Sequence, residues 1–305
     1  QWRIGDMKDV KSAMVAFDAG QFEAHLASHQ EFQLTIQRAL QISGQTGFYI
    51  GYDDIPDVQI LNGLVRFLGV EEQKKRTSGK TKKQNPQSLE EKVTNHAQML
   101  SALASTDHFG LYRTPNFEPR RGPMVPGYVA AAKSPILFMP VMSCPYDGIL
   151  QWLADLDGVS ISDLTGEFNQ KSLRQWKRQA KDHQSFCVLR HPVARLHRAF
   201  VERILMPGPM AYADIRDTLR RVFGLPLPKA EPDAAYDIGA HRKAFLAFAE
   251  FVKGNLAGQS SVRVDGAWAS QSEWVRGMAR FLLPMHIFRE ADLGDDLCHL
   301  AQRFG

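Results

Sequence analysis

The sequence predicts an α/β protein built on parallel central sheets with helices against them. Three stretches carry that expectation. Ser185-Phe186-Cys187-Val188-Leu189 is a short apolar run bounded by polar residues, and Arg190-His191-Pro192 turns it into a helix. Pro192 cannot continue a strand, whereas its fixed φ and missing N–H suit the first turn of a helix. Ser134-Pro135-Ile136-Leu137-Phe138-Met139-Pro140 reads as a second strand, with a loop and then a helix behind it. Pro284-Met285-His286-Ile287-Phe288-Arg289 reads as a third, followed by a terminal helix from Asp292 to Phe304. Strands that alternate with helices are the pattern of a parallel sheet.

The first part of the chain carries fewer strand signals. Asp18 is placed to cap a helix that runs to Ser43, with Phe22, Leu26, His29, Phe32, Ile36 and Leu40 on one stripe and Gly44 ending it. Thr46 to Tyr52 reads as a strand leading into Asp53-Asp54-Ile55, and Asp57 caps a helix from Val58 to Leu68 that stops at Gly69. A basic loop follows, holding Lys74, Lys75, Arg76, Lys80, Lys82 and Lys83, and Asn85-Pro86 turns the chain. Ser88-Leu89-Glu90-Glu91 has the form of a capping box opening a helix to about Leu103. Residues 106–133 are rich in Pro, Gly and Arg and show neither period. The expected organisation is a first domain over 1–112, a linker over 113–133 and a second domain over 134–305.

In the second part, Val141 to Gly148 is a loop and Ile149 to Leu156 a helix. Glu167 to His183 is polar. From Pro192 the apolar residues Val193, Leu196, Phe200, Val201 and Ile204 recur at helical spacing, leaving Arg195, His197, Arg198 and Arg203 for the polar face. Met206-Pro207-Gly208-Pro209 breaks the chain before a helix to about Phe223. Asp237 to Asn255 and Ser270 to Phe281 are helical, with a short strand or loop over Ser260 to Asp265 between them.

Composition bounds the function. The chain has 305 residues, long for one domain and comfortable for two. It is 44% hydrophobic and 23% charged, the balance of an ordinary globular protein. The net charge of +4 suits an anionic ligand but is too small to argue for nucleic acid, so no nucleic-acid partner is expected. Cys144, Cys187 and Cys298 form no spaced pair and no metal-ligand cluster, and their odd number fits a reducing, cytoplasmic compartment. No metal is expected. No apolar run reaches membrane-spanning length and the first residues are not a signal peptide. The chain begins at Gln1 inside a polar segment, which reads as truncation upstream.

One internal similarity emerges. Phe48 to Ile55 is followed by a helix closing on Phe67-Leu68-Gly69, and His286 to Leu293 by one closing on Phe304-Gly305. Each is a strand, an acidic turn and a helix, which suggests two copies of one domain with the first lacking its beginning.

Leu189-Arg190-His191-Pro192-Val193-Ala194-Arg195-Leu196, placed after an apolar strand, resembles the second nucleotide-binding motif of sulfotransferases. Asp265 to Gln271 resembles the Trp-containing loop of the carbohydrate-type branch, and Arg289 to Leu293 its last strand and turn. Tyr52-Asp53-Asp54-Ile55, Phe67 to Val70 and Lys82-Lys83-Gln84-Asn85-Pro86 resemble the C-terminal strand, helix and basic loop of bacterial, nodulation-type enzymes. The resemblance implies a P-loop-like parallel sheet flanked by helices in two related domains. It also implies transfer of a sulfuryl group from 3′-phosphoadenosine 5′-phosphosulfate to a hydroxyl of a carbohydrate or glycolipid acceptor. The residues it assigns to the nucleotide are Arg190, Arg198, Ser143, Lys82 and Lys83, and it assigns Trp268 to the substrate.

Two departures bear on catalysis. Where the family has a lysine in its phosphosulfate loop, this chain has Val141, so the charge that would stabilise the leaving group is missing. Ser143 and the loop N–H groups can still cradle a phosphate. Arg198 stands where the family usually has a serine, and a guanidinium can bind phosphate in a bidentate manner. The alternative is therefore a catalytically degenerate module that binds nucleotide or acceptor. His191 reads as a turn residue, and Asp53 and Glu290 as caps at strand ends. The resemblance implies a base near the strand after the phosphosulfate loop, where Asp163 or Glu167 could serve, though no motif selects either. A P-loop kinase is disfavoured, since no Gly-x-x-x-x-Gly-Lys-[Ser/Thr] occurs.

Overall fold

A computed structural model describes residues 14–71, 74–77, 87–106, 125 and 127–303. Contacts divide the chain into two compact units. One lies within Gln1–Asn116 together with Ala257–Ser261, the other within Phe117–Leu256 together with Val262–Gly305.

The larger unit holds a four-stranded sheet in the order β1 (Val129–Ala130), β2 (Ile136–Phe138), β3 (Gln184–Leu189), β4 (His286–Arg289). β2, β3 and β4 are parallel, and β1 runs antiparallel to β2. The sheet is thus mixed, and the expectation of an all-parallel sheet is corrected at its β1 edge. Phe186 and Val188 point to one face of β3 and Cys187 to the other, as the two-residue period of a strand requires.

Helices cover both faces. On the first, α5 (Asp147–Asp157) and α11 (Leu293–Ala301) bring Ile149, Leu153, Leu297 and Leu300 onto Ile136, Phe138, Phe186 and Val188. On the second, α6 (Gln170–Gln179) and α10 (Gln271–Met278) bring Leu173, Trp274 and Met278 onto Leu137, Met139 and Cys187. This is a three-layer α/β/α arrangement. A third cluster contains no strand residue. α7 (Pro192–Ala199), the π-helical turn Phe200–Leu205, α8 (Ala213–Arg221) and α9 (Ile238–Leu256) pack Phe200, Ile204, Leu219 and Phe248 around Trp268.

The smaller unit is helical in its described residues: α1 (Ala19–Ile42), α2 (Val58–Phe67), α3 (Leu89–Lys92) and α4 (His96–Ala104). Asp18 caps α1 by accepting from the Gln21 N–H at 2.8 Å, and Asp57 caps α2 by accepting from Gln59 N–H at 2.7 Å. Met99 is its buried apolar residue among those described.

Several expectations change here. Thr46 to Tyr52 is not a strand; the Tyr49 N–H bonds the Gly258 carbonyl at 2.9 Å, but among the described residues no second strand lies alongside to extend a ladder. On α1, Phe32 and Ile36 are exposed rather than on the packed stripe. Ser88 and Glu91 do form a capping box, yet the helix ends at Lys92, because Val93 turns extended and bridges Val15. The polar stretch Glu167 to His183 contains α6, opened by Asn169, whose side chain accepts from the N–H groups of Lys171 and Ser172. The linker expected over 113–133 ends inside the larger unit, where Tyr128 is fully buried and β1 forms. The internal similarity holds for the 3-10 turns, Tyr52–Asp54 and Glu290–Asp292, and for the helices behind them. It does not hold for the strand.

Candidate functional site

The parallel strands end on one edge of the sheet, the edge where open α/β folds bind ligands. β3 and β4 are in register with Leu189 beside Arg289, so the next residues, Arg190 and Glu290, emerge side by side. Their side chains form a two-pronged ion pair: Arg190 Nε donates to Glu290 Oε2 at 2.6 Å and Nη2 to Oε1 at 2.5 Å. Arg190 Nη1 donates to the Ser143 carbonyl at 3.2 Å, joining the strand end to the β2–α5 loop. These bonds with Glu290 push the guanidinium pKa upward and fix its charge. A guanidinium has five N–H groups, so Arg190 keeps capacity toward a ligand but shares its charge with a carboxylate.

The backbone of Arg190 is held as firmly. Its N–H donates to Gln271 Oε1 at 2.9 Å and its carbonyl accepts from Gln271 Nε2 at 2.8 Å. Gln271 opens α10, so one amide ties that helix to the end of β3. The Cys144 thiol also donates to Gln271 Oε1, at 3.2 Å, and burial is the main cause raising its pKa.

Arg195 departs from expectation. It does not lie on a polar face of α7 but is 4% exposed, with Nε on the Met142 carbonyl at 2.8 Å, Nη1 on Ala269 at 2.5 Å and Nη2 on Gly266 at 2.8 Å. It clamps the β2–α5 loop to the loop over 265–270. Gly266 has no room for a side chain: a Cβ there would come within 2.7 Å of Trp274 Cζ2.

The β2–α5 loop has the shape a phosphate loop needs. It runs from a buried strand into α5, whose preceding residue, Tyr146, offers no side-chain cap. Ser143 has a left-handed backbone, φ 63°, and its Oγ is buried with no hydrogen-bond partner among the described residues. Val141 is 3% exposed and packs in the core, so no cation projects from that position of the loop.

Ser143 and Arg198 line one cavity, of about 740 Å³. Arg198 is half exposed and paired with Glu202 at 2.7 Å, one turn along. Arg190 does not line that cavity but adjoins it through the Ser143 carbonyl. Trp268 lies elsewhere. It is 3% exposed, donates from Nε1 to Asn255 Oδ1 at 2.8 Å and packs on Phe248, so it presents almost no surface to a substrate. Lys82 and Lys83 lie outside the described residues. Asp163 closes its own 3-10 turn on Ser160, whose hydroxyl and N–H lower its pKa, and neither it nor Glu167 lines the cavity.

Sequence reasoning missed Glu290 as the partner of Arg190, Gln271 as its backbone clamp, and Arg203, which lines the cavity beside Arg198. The first was accessible: opposite charges directly after two neighbouring parallel strands meet if the strands pair in register. Among the described residues no group of three or more His, Cys, Asp or Glu side chains is placed to hold a metal, and no helix is long and apolar enough to cross a membrane. Comparison with protein-family profiles, with curated proteins and with solved structures finds no match.

Proposed function

We propose that the chain is a sulfotransferase-type protein whose larger unit binds a 3′-phosphoadenosine nucleotide at the C-terminal edge of its parallel strands. The observation that carries this reading is the β2–α5 loop: a buried hydroxyl without a partner at Ser143, leading into a helix that no side chain caps. Free N–H groups and a hydroxyl at a helix start favour a phosphate oxygen. Ser143, the loop N–H groups and Arg198 would hold the phosphates, with Arg190 beside them. The bound 3′-phosphoadenosine 5′-phosphosulfate would supply the activated sulfuryl group. The chain's part would be to orient it and offset its charge.

Two observations favour a binding module over an efficient transferase. Val141 leaves the leaving group without a lysine, and Glu290 shares the charge of Arg190. Calorimetry of the full chain with 3′-phosphoadenosine 5′-phosphate tests the reading. We expect saturable binding that weakens about tenfold in Arg198→Ala or Arg190→Ala, the worth of one charge-assisted contact. Absence of binding, or binding indifferent to both arginines, overturns it. Sulfuryl transfer that rises in Val141→Lys, with the circular dichroism spectrum unchanged, would identify a weakened enzyme. No rise in a folded variant would leave the binding module.

A further inference from the structure

Helix α6 carries a charge pattern that nucleotide binding does not use. From Phe168 to Lys181 the chain has no Asp or Glu and five cations: Lys171, Arg174, Lys177, Arg178 and Lys181. Four lie on α6, and Lys181 lies in the turn behind it. Lys171, Arg174 and Arg178 are three and four residues apart, so they share one face, with Lys177 beside them. Leu173 and Trp176 occupy the opposite face and pack into the core on the sheet. Lys171, Arg174, Arg178 and Lys181 are exposed, and Lys177 is half-buried. These five charges exceed the net charge of the whole chain, +4. A modest total therefore hides a strong local concentration.

Among the described residues none of the five forms an ion pair. The Arg174 guanidinium bonds the Gln170 carbonyl at 3.2 Å and the Gln170 side-chain oxygen at 3.5 Å, both neutral. Helix stability explains part of the pattern. Lys177 and Arg178 stand in the last turn, where the helix dipole favours cations. It does not explain Lys171, which stands in the first turn, where the dipole opposes a cation. Nor does it explain Arg174, which meets a like charge three residues back and two more three and four residues ahead. Those placements cost the helix energy, and an anionic partner would offset it.

We propose that this face docks on the anionic headgroups of a lipid bilayer, a peripheral contact made by charge alone. Clusters of about four to eight Lys or Arg on an amphipathic helix are enough to hold such a surface. The apolar side of α6 is taken up by the core, so the helix cannot sink into the membrane as an interfacial helix does. A protein partner would need an apolar centre to its interface. The exposed residues from 171 to 181 are all Lys, Arg or Gln and offer none. A nucleic-acid duplex is read by a helix that projects into a groove, whereas α6 is anchored as one layer of the α/β/α stack through Leu173 and Trp176. The docking face is independent of nucleotide binding.

Co-sedimentation of the full chain with large vesicles tests this. Phosphatidylcholine vesicles holding about one third phosphatidylglycerol should pull it down, and pure phosphatidylcholine vesicles should not. Raising the salt about tenfold, to about 0.5 M, should weaken the binding at least tenfold by screening. The quadruple variant Lys171→Gln, Arg174→Gln, Arg178→Gln, Lys181→Gln alters exposed positions and removes like-charge contacts. It should melt no lower than the parent and lose at least about a hundredfold in partition coefficient, at roughly fivefold per charge. The milder Lys171→Gln with Lys181→Gln should lose about 25-fold. Arg174→Lys with Arg178→Lys keeps the charge and should keep the binding within about twofold. Equal binding to both vesicle types, no binding to either, or indifference to salt overturns the proposal. So does anionic binding that survives both glutamine variants, or binding lost in the lysine variant. A mixed-sequence DNA duplex is titrated alongside at the same salt. Duplex binding that is tighter than vesicle binding and lost in the quadruple variant assigns the face to nucleic acid and overturns the proposal too.

Discussion

Arg195 shows what one side chain contributes when its charge is buried and bonded to backbone carbonyls. Burial draws its pKa below the usual guanidinium range, but that range starts so high that the group stays charged. Three backbone carbonyls, from Met142, Gly266 and Ala269, take the place of a counter-ion. Replacing Arg195 by Met would strand those carbonyls and should lower unfolding free energy by about 3 to 5 kcal/mol, in line with breaking a buried charged network. Arg195→Lys should recover only part of this, because one ammonium cannot reproduce a planar fork. Urea unfolding midpoints at constant slope measure both, and a loss below about 1 kcal/mol in Arg195→Met would show that the clamp matters little. Nothing in the spacing of α7 marks Arg195 as buried. Its acceptors lie 53 to 74 residues away in sequence. The place of Arg190 at a strand end, by contrast, was legible, because it follows an apolar run and lies two residues before a proline.

Among elements, α5 matters most to the site, and its two ends are built differently. Its start is left open at Tyr146, toward the β2–α5 loop. Its end is closed by Gly158, whose left-handed φ of 62° lets its N–H reach back to Ala154 and Asp155. Gly158→Ala should cost about 1 kcal/mol, the steric penalty of a Cβ in that conformation. It should leave the proposed nucleotide binding unchanged, since it acts at the far end of the helix. Thermal unfolding beside calorimetry tests this, and a change in affinity would mean that α5 transmits strain to the loop. The strands and long helices of the larger unit were legible because apolar periodicity and caps agreed, as at Ser270 and Pro192. α6 was not, because polar residues dominate it and Leu173 alone is buried. Its signals were the Asn169 cap and the Leu173–Trp176 spacing. Thr46 to Tyr52 failed in the opposite sense. Its β-forming residues advertise a strand, but a strand needs a neighbour, and local pattern carries no information about one.

At the scale of the whole molecule, titratable groups of the larger unit set a two-step dependence of stability on pH. His241 and His286 both titrate below the ordinary histidine value, through burial first, then through the neighbouring His197 and Arg303 respectively. The unfolded chain therefore takes up protons before the folded one as pH falls. Their contribution is full above about pH 6.5 and declines below it. Asp157 behaves separately. Burial alone would raise its pKa, but the Ser134 hydroxyl and the N–H groups of Lys133 and Ser134 outweigh that and hold it below the usual carboxylate value. Its contribution is present above about pH 4 and is lost as pH drops through the lowered folded value. Urea midpoints from pH 3 to 8 should show both declines. Asp157→Asn should remove the lower one and leave the upper. A flat profile between pH 5 and 7.5 would contradict the histidine assignment. The α/β class was legible at this scale, but the reversed β1 edge was not, because two residues at the end of a Pro- and Gly-rich stretch carry no period.

The π-helical turn at Phe200–Leu205 has a consequence for how this protein can change. A π turn is an α-helix with a single residue too many, and losing any one residue of the turn would let the helix close into a regular ladder. Such a deletion is a one-codon event. It would carry a reward in local helix energy while swinging Val201, Glu202 and Arg203 about 100° around the axis, off the cavity wall. A chain free of demands at the cavity would drift toward that shorter, straighter helix. The same single-residue slip is thus the simplest route by which this cavity wall could be rebuilt without losing the fold.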